Sequence, residues 1–334
     1  MRTYGKSCID DHDEAIGTPA IFVSERSVPS AIYAAMRQVL ARGYQVRTQY
    51  DRKSPEGNYI DPPSLDVSSA IEIVNPYAQP RFPKSSCVEI GKYIAETCWG
   101  VKDHLVLDQE ELMEKLAKGE FDETTETHWP YTYHQRLFAY PASNGKRINQ
   151  VHKMLERLAE EPITRRATAI TFVPEIDQYI KGDLPCLQRI ALRCTEDEHG
   201  KLHLHMHTHW RSRDLFNAAA DNIIAMTFWQ REWAEQLSQV LDREVLVGRY
   251  KDFADSLHIY GQVLTNMDVE KMVGKWNALP EAEKGYTSED ARDLLVMPDL
   301  EKLLAEDPQW HFPHEAKEKI VAEMERMKRG EYLP

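Results

Sequence analysis

Apolar residues recur along the chain at two spacings, one typical of helices and the other typical of strands. Spacings of three and four residues predict helices within residues 27–43, 85–101, 147–162 and 222–241. Alternation of apolar and polar residues predicts strands that begin near Cys186 and at residue 202, joined by a turn at 195–201. Shorter strands are predicted after residue 70 and within 165–176. Because helices and antiparallel strands are interleaved without a strict β-α-β rhythm, the pattern favours an α+β fold.

Charge and hydropathy narrow the functional classes. The 334 residues include 41 Lys and Arg against 54 Asp and Glu, which gives a formal charge of −13. A net negative charge disfavours the extended basic surface that binds duplex nucleic acid, although a few local arginines suffice to bind a small anion. It has neither an apolar run near the ~18 residues of a membrane span nor a signal-peptide-like start. We therefore expect a cytoplasmic protein that binds neither membranes nor nucleic acid directly.

The five cysteines are odd in number and lack CxxC spacing, which argues against a disulfide framework or a zinc ribbon. Cys186 is distinguished by its neighbours, because it directly follows Pro185 at the start of the run GDLPCLQRIALRC. A small buried thiol is the ordinary interpretation of such a residue. The alternative is a nucleophile whose pKa is lowered by nearby cations.

Four histidines occupy alternate positions of one predicted strand, at His203, His205, His207 and His209. Alternation places them on one face, with neighbours about 6–7 Å apart. A zinc ion needs ligands that converge to about 2.1 Å, and a straight strand brings at most two such residues to one ion. We therefore expect a polar interface or a solvated face, and no metal site.

Three further segments contain polar residues typical of a site for a phosphorylated substrate. They are HWRSRDLFNAAADN, with Arg211, Ser212 and Asp214; ITRRATAI, with Arg165 and Arg166; and SLHIYG, with His258 and Tyr260. A guanidinium beside a hydroxyl suits a phosphate, whereas a helix cap beside a surface arginine is the structural alternative. Together with Cys186, the segments suggest a phosphorylated substrate that is attacked by a thiolate.

The order of these segments resembles the thymidylate synthase family, which includes the pyrimidine nucleotide hydroxymethylases. The resemblance runs from about residue 71 to about residue 262. Its motifs are ETCW, YTYHQRL, ITRRA, DLPC, RSRDLF with Asn222 eight residues beyond Asp214, and LHIY. It implies a thymidylate synthase-like α+β fold, in which a mixed or antiparallel sheet packs with helices and stacks against the sheet of a second copy in a homodimer. We accordingly divide the chain into an N-terminal extension, 1–68, and a catalytic domain, 69–334, whose residues 265–334 are a charged helical tail.

The resemblance also implies a role for each matched residue. Cys186 would attack C6 of the pyrimidine of a nucleoside monophosphate, and C5 would then take a one-carbon unit from the co-substrate 5,10-methylenetetrahydrofolate. Glu96 would organise the proton transfers, and Tyr133 would lie near the thiol and the C5 proton that must leave. The binding residues would be Arg211 and Ser212 for the phosphate, Arg165 and Arg166 for the same phosphate from the other subunit, His258 and Tyr260 for the sugar, Asn222 for the base, and Asp214 for the pterin.

Two neighbouring residues leave the choice of base open. The ungapped match places Asn222 at the base edge, and an amide that donates to O4 and accepts from N3–H reads uracil. The cytosine enzymes of the family have an aspartate at this position, and Asp221 lies one residue away, so a shift of one residue reverses the preference. We expect dUMP as the substrate, with dCMP or CMP as the alternative.

The fate of the transferred carbon is also open. A methylating enzyme must exclude water from its exocyclic methylene intermediate, whereas a hydroxymethylase must admit water. The chain departs from the methylating pattern in NAAAD before Asn222, in Leu187 after the nucleophile, in the ending MKRGEYLP, and in having only Trp129 as a displaced candidate for the indole that shields the folate. These departures favour hydroxymethylation of dUMP by a transferase, with thymidylate synthase as the close alternative and a non-catalytic nucleotide-binding relative as a third. Such hydroxymethylases serve viruses that replace a DNA base, so the location would be the host cytoplasm if the chain is viral.

Overall fold

The structure is a computed structural model that describes residues 17–85, 89–121, 129–331 and 334. Cys8, Cys87, the first 16 residues of the predicted extension, and part of the MKRGEYLP ending lie outside the described residues. In chain order the strands are β1 (Ala20–Glu25), β2 (Tyr44–Val46), β3 (Ser64–Ile73), β4 (Phe82–Pro83), β5 (Tyr140–Pro141), β6 (Arg147–Ile148), β7 (Thr168–Ile170), β8 (Leu187–Glu196), β9 (Leu202–Trp210), β10 (Arg213–Asp214), β11 (Val245–Ile259) and β12 (Gly285–Tyr286).

Helices pack against the main sheet, and further helices make up most of the C-terminal part of the chain. They are α1 (Val28–Arg42), α2 (Ile90–Cys98), α3 (Gln109–Lys118), α4 (Tyr133–Phe138), α5 (Gln150–Glu160), α6 (Pro174–Asp177), α7 (Ala219–Leu241), α8 (Gly261–Asn266), α9 (Val269–Ala278), α10 (Ser288–Ala291), α11 (Met297–Ala305), α12 (Asp307–Trp310) and α13 (His314–Lys328). Short 3₁₀ turns occupy Asp103–Leu105 and Glu281–Glu283, and a π-helical segment, Arg292–Val296, joins α10 to α11.

The main sheet is mixed, with the strand order β1-β3-β11-β9-β8-β7. Strand β3 pairs parallel with β1 and antiparallel with β11, and β11 in turn pairs parallel with β9. The predicted hairpin is present, because β8 and β9 pair antiparallel around the turn at 197–201. The expected α+β class with a mixed sheet is therefore confirmed, and the stacking of two sheets in a dimer stays a prediction.

Helix α7 covers the inner face of the sheet at its centre. Trp229 and Trp233 stack with ring centroids 5.4 Å apart and are buried, as the predicted apolar stripe requires. Gln230, buried in the same helix, donates from Nε2 to the carbonyl of Leu204 at 2.7 Å and to that of Gly248 at 3.2 Å. The helix is therefore attached to β9 and to β11, which both lead into the site described below.

The N-terminal part of the chain belongs to the same core. Helix α1 starts at the N-cap Ser27, whose hydroxyl accepts from the Ser30 N–H, and it buries nearly its whole first half. Strand β1 precedes it and pairs with β3 in register from Ala20 to Glu25. The predicted boundary at residue 68 falls inside β3, so the residues on either side of it share one strand and one hydrophobic core.

Several predicted boundaries move. The strand expected within 165–176 is only Thr168–Ile170, because α6 begins at Pro174 with Val173 as its N-cap. Helix α2 ends at Cys98, so Glu96 lies inside it and Trp99 is its C-cap. Helix α7 begins three residues before Asn222, which therefore lies in its first turn. The tail beyond residue 265 is helical, as expected, but it also buries apolar side chains such as Leu300 and Ile320 in the core.

Candidate active site

Cys186 lies in the connection that enters β8, with its backbone held from both sides. Its carbonyl accepts from the Arg211 N–H at 2.9 Å, and the next residue, Leu187, donates its N–H to the Tyr133 hydroxyl at 3.2 Å. The pairing of β8 with β9 shifts register between Leu187 and Arg189. Such an irregularity re-aims a side chain at the end of a strand. The thiol is thus fixed at the strand entrance rather than within the packed sheet.

The thiol has opposing electrostatic neighbours. Burial raises the pKa of the Cys186 thiol above its ordinary value, the Arg211 guanidinium pulls the pKa down, and Asp183 raises it further. Arg211 is itself attached to the approach of the strand, because it donates to the Leu184 carbonyl at 2.6 Å and to the Pro185 carbonyl at 3.2 Å. The result is a thiol that stays protonated in the free protein and that has two cations, Arg211 and Arg213, close enough to favour the thiolate.

A cleft of about 470 Å³ opens over Cys186. Its lining includes most of the residues that the sequence motifs predict, which are Cys186, Tyr133, Arg211, Ser212, Asp214, Asn222, His258 and Tyr260. These residues come from α4, β9, β10, α7 and β11, or from the short connections beside them. Segments that are up to about 130 positions apart in the sequence therefore converge on one cavity.

His258 and Tyr260 close the cleft at the end of β11, where a second register shift falls between Ala254 and Leu257. Their rings meet edge to face with centroids 4.5 Å apart. The Ser256 hydroxyl contacts His258 Nδ1 at 3.1 Å, whereas Nε2 has no hydrogen-bond partner among the described residues although the side chain is only 6% exposed. Burial lowers the pKa of His258, so the ring of this cleft-lining residue is neutral and retains a buried, unused polar atom.

Asn222 faces the cleft from the first turn of α7, and the neighbouring Asp221 is not among the lining residues. Adjacent residues on a helix point about 100° apart, which is consistent with one of the two lying at the cavity and the other beside it. The Asn222 Oδ1 accepts from Arg213 Nη1 at 3.1 Å, and its Nδ2 donates to the Tyr93 hydroxyl. Of the two candidates, Asn222 is thus the one that lines the cleft, and its role in reading the base stays a prediction.

Comparisons with known proteins show the family of the chain. The family profile described as "Thymidylate synthase" matches residues 92–290, which is more than half of the chain. The chain belongs to the thymidylate synthase family. A protein of Methanocaldococcus jannaschii called "Putative thymidylate synthase" is 28% identical over 244 residues, covering 71% of this chain and 90% of the relative. One of the same description from Methanosarcina acetivorans is 31% identical over 163 residues, covering 49% of this chain and 60% of the relative.

A solved structure supports the same fold. Thermostable thymidylate synthase A from Bacillus subtilis superposes with a TM-score of 0.50 at 18% identity, covering 74% of this chain and 84% of that one. Membership of the family, which the profile and the relatives show, makes the chain a folate-dependent enzyme and a transferase of one-carbon groups. No helix of the described residues is long and apolar enough to cross a membrane.

Glu96 does not line the cleft of this family member. It lies in an adjacent cavity of about 200 Å³, with Trp129 and Thr97, and the two cavities share the walls formed by Tyr93, Tyr131 and Tyr133. The Glu96 carboxylate pairs with Lys102, whose ammonium lies 4.8 Å from the centre of the Trp129 ring. Trp129, a displaced candidate in the sequence, thus joins Glu96 in a second compartment.

Arg165 and Arg166 lie outside the cleft, on an exposed segment before β7. The Arg166 carbonyl accepts from Arg157 Nη1 at 2.8 Å, which fixes the backbone while the guanidinium stays exposed. Asp214 does line the cleft, but its Oδ1 also accepts the N–H groups of Phe216 and Asn217 at 3.0 Å each. Asp214 thus stabilises the turn that precedes α7 but does not cap the helix, whose N-cap is Ala218, and its role towards a pterin stays a prediction.

Sequence reasoning missed several residues that line the cleft. Arg213 and Tyr131 stand inside motifs that the sequence had already marked, one residue after Ser212 and two residues before Tyr133. Tyr50 comes from a loop of the presumed extension, and its hydroxyl donates to Asp183 Oδ1 at 2.5 Å across the cleft. Alternation along RSRD was a usable signal for Arg213, whereas no local pattern marks Tyr50.

The four histidines lie on the outer face of the sheet, away from the cleft, and each has its own contact. His203 Nε2 contacts Asp197 Oδ2 at 2.9 Å, and His209 Nε2 contacts Asp255 Oδ1 at 2.9 Å. His205 lies between the Thr195 hydroxyl, at 2.7 Å, and the Arg249 N–H, at 2.9 Å. Within the described parts of the chain, no group of three or more His, Cys, Asp or Glu is arranged to hold a metal ion.

Proposed function

We propose that this enzyme transfers the one-carbon unit of 5,10-methylenetetrahydrofolate to C5 of dUMP and, with water, forms 5-hydroxymethyl-dUMP and tetrahydrofolate. The observation that carries the proposal is the convergence of a strand-entrance thiol, Cys186, with the cation Arg211, the amide Asn222 and the neutral ring of His258 in one cleft. A nucleophile, an anion-binding group, a base-reading amide and a sugar partner are the parts that the reaction needs.

The cleft offers a partner for each part of a nucleoside monophosphate. Arg211 and Ser212 follow the end of β9 and supply a guanidinium and a hydroxyl for a phosphate. His258 Nε2 is buried without a partner among the described residues, and a sugar hydroxyl satisfies it. The Asn222 amide supplies a donor and an acceptor for the edge of a base.

Cys186 supplies the covalent chemistry. Its sulfur adds to C6 of the ring after the thiol proton has left, and the electron pair of the C5–C6 double bond makes C5 the carbon nucleophile. Once the new C5–carbon bond has formed, the C5 proton leaves and the bond from that carbon to the folate nitrogen breaks, which releases tetrahydrofolate and leaves a methylene group on C5. Water then adds to the methylene carbon, and expulsion of the thiolate restores the C5–C6 double bond. Burial raises the pKa of the Cys186 thiol, and the attraction of Arg211 for the thiolate opposes this rise and favours thiolate formation.

The second compartment fits the folate. It combines the Trp129 indole, the Glu96 carboxylate and the Tyr131 ring, which suit the stacking and hydrogen bonding of a flat pterin with N–H groups. The bound folate supplies the carbon. The shared wall of Tyr93, Tyr131 and Tyr133 brings that compartment beside the cleft, and burial keeps the Tyr133 phenol protonated by raising its pKa.

Water access decides between hydroxymethylation and methylation. Ala218, a small residue, lines the cleft where bulkier apolar residues would narrow it. Among the described residues, none beyond Gln262 in the sequence lines the cleft. Both features favour the entry of water and hence the hydroxymethylated product. Formation of dTMP and dihydrofolate is the second candidate, because the relatives named above carry the description of putative thymidylate synthases.

A homodimer completes the proposed site. The outer face of the sheet exposes apolar side chains, among them Phe22 at 64% and Phe253 at 38%, next to the histidine row. Arg165 and Arg166 are exposed and do not reach the cleft of their own chain. Stacking of two such faces would cover the apolar residues, and the two arginines would serve the phosphate bound by the partner subunit.

Release of tritium from 5-tritiated dUMP, in the presence of the folate, tests the proposal. The wild-type protein is expected to release tritium, and Cys186→Ala is expected to lose release altogether because C5 is no longer activated. Cys194→Ala is the matched control, since Cys194 lies buried on the same strand and outside the cleft. Unchanged release by Cys186→Ala contradicts the covalent mechanism, and no release by the wild-type protein favours a non-catalytic relative.

A further inference from the structure

The amide of Asn222 is hydrogen-bonded at both of its polar ends before any nucleotide binds. Its Oδ1 accepts from Arg213 Nη1 at 3.1 Å, and its Nδ2 donates to the Tyr93 hydroxyl. An amide carries two acceptor positions and two donor hydrogens. One acceptor position and one N–H therefore remain for the edge of a base.

Arg213 alone determines the orientation of the Asn222 amide, that is, which of its two polar atoms faces the arginine. A guanidinium has no acceptor, so the amide atom that faces it must be the oxygen. The hydroxyl of Tyr93, in contrast, accepts or donates equally well and would tolerate either end of the amide. The orientation of Asn222 is thus fixed by the arginine and only supported by the tyrosine.

The guanidinium is itself immobile. Arg213 is 2% exposed, and its Nη2 pairs with Asp252 Oδ2 at 2.9 Å and donates to the Ala219 carbonyl at 3.2 Å. The face of the guanidinium lies 3.9 Å from the centre of the Trp210 ring. Asp252 also accepts from the Tyr250 hydroxyl at 2.9 Å. The arginine is therefore held from β9, β11 and the start of α7 at once.

The order of the two remaining groups matters because uracil and cytosine present opposite patterns. Uracil offers an acceptor, O4, beside the donor N3–H, and cytosine offers a donor, the 4-amino group, beside the acceptor N3. A half-turn of the amide exchanges its donor and acceptor and would exchange the preferred base. Resting on the proposed function, in which Asn222 reads the base, we propose that Arg213 is the positioning residue that fixes the Asn222 amide and thereby makes the cleft distinguish uracil from cytosine.

Binding of dUMP and of dCMP, measured by titration calorimetry without folate, tests this role separately from catalysis. We expect the wild-type protein to prefer dUMP by about 100-fold, in line with the cost of leaving buried polar groups unpaired. Arg213→Gln introduces a side chain that donates or accepts, so Asn222 is free to turn, and the preference should fall at least about tenfold. Arg213→Lys restores a group that only donates, and it should restore the preference.

Tyr93→Phe is the matched control, because it removes the other partner of the amide and leaves the arginine in place. It should weaken the binding of both nucleotides and leave the ratio of their affinities unchanged. Arg213→Gln also leaves Asp252 without its cation, which destabilises the fold. Thermal unfolding of each variant is therefore measured alongside, and if Arg213→Gln does not fold, Arg213→Gln with Asp252→Asn is compared with Asp252→Asn alone.

The outcomes separate this inference from the proposed function. An unchanged ratio in a folded Arg213→Gln variant, or an equal loss of preference in Tyr93→Phe, overturns the role of Arg213. A wild-type preference for dCMP that disappears in Arg213→Gln supports that role and overturns dUMP as the substrate. Selective binding of dUMP without any turnover supports the role of Arg213 and overturns the proposed reaction.

Discussion

Strand β9 contributes to two regions of the molecule that differ in how their polar residues are assembled. Its end leads into Arg211 and Ser212 at the cleft, and its alternate positions place His203 to His209 along the outer face. The outer row is compact in sequence, yet its members contact separate partners such as Asp197 and Asp255. The cleft residues are scattered in sequence, yet they share one cavity. Convergence through the topology of the sheet, rather than local density of polar residues, produces a site that is capable of chemistry.

The largest effect is expected from an arginine in the cleft compared with one on the outer face. Arg211→Met removes the proposed phosphate partner, the cation near the thiol and two bonds to the Cys186 loop, so kcat/KM for dUMP should fall at least about 100-fold. Arg189→Met changes an exposed arginine on the outer side of β8, and it should lower kcat/KM for dUMP less than about threefold. Steady-state kinetics on both variants measures the contrast, and equal losses would contradict it.

Mixing experiments test whether the two regions meet across a dimer. Cys186→Ala and Arg166→Gln proteins should each be nearly inactive alone, because one lacks the nucleophile and the other lacks the proposed phosphate contact from its partner. After exchange of subunits the mixture should recover activity, since one site of each hybrid then contains both residues. Two variants that stay inactive together, in a preparation shown by light scattering to be dimeric, would place Arg166 outside the site.

The pH dependence of the thiol sharpens the electrostatic part of the comparison. Burial raises the pKa of Cys186, so its alkylation rate should increase with pH and reach its midpoint above the ordinary cysteine value of about 8.5. Arg211→Gln should move the midpoint higher still, because a cation that favours the thiolate is lost. Mass spectrometry of the peptide that contains Cys186 follows the rate. A midpoint below about 8.5 would contradict the described environment.

The smallest effect is expected from the outer histidines. Burial lowers the pKa of His205 to about 4, and its Nδ1 accepts from the Arg249 N–H, so protonation must break that bond. The unfolded chain binds this proton more readily, and stability is therefore lost as the pH falls from about 6.5 towards 4. His205→Gln should lose less thermal stability between pH 7 and pH 5 than the wild-type protein. His209→Gln, next to Asp255, is the control, and an equal response of the two variants would contradict the assignment.

The sequence predicted the residues of the cleft better than their surroundings. Motifs such as DLPC and RSRDLF work because they lie where strands end, so that local spacing sets the direction of Cys186 and Arg211. The compartment of Glu96 was not predicted, because its position depends on the packing of α2 against distant tyrosines. Tyr50 was missed for the same reason, since only the tertiary fold brings its loop to Asp183. The boundary at residue 68 was drawn from the start of the resemblance, which carries no information about the pairing of β1 with β3.

The mass of the product formed from dUMP and 5,10-methylenetetrahydrofolate tests the central claim most directly. The account predicts a nucleotide that has gained CH₂O, together with tetrahydrofolate, and it predicts no product from Cys186→Ala. A nucleotide that has gained CH₂, together with dihydrofolate, would make the enzyme a thymidylate synthase and contradict the access of water inferred for the cleft. Recovery of unchanged dUMP from the wild-type protein would contradict the proposed reaction as a whole.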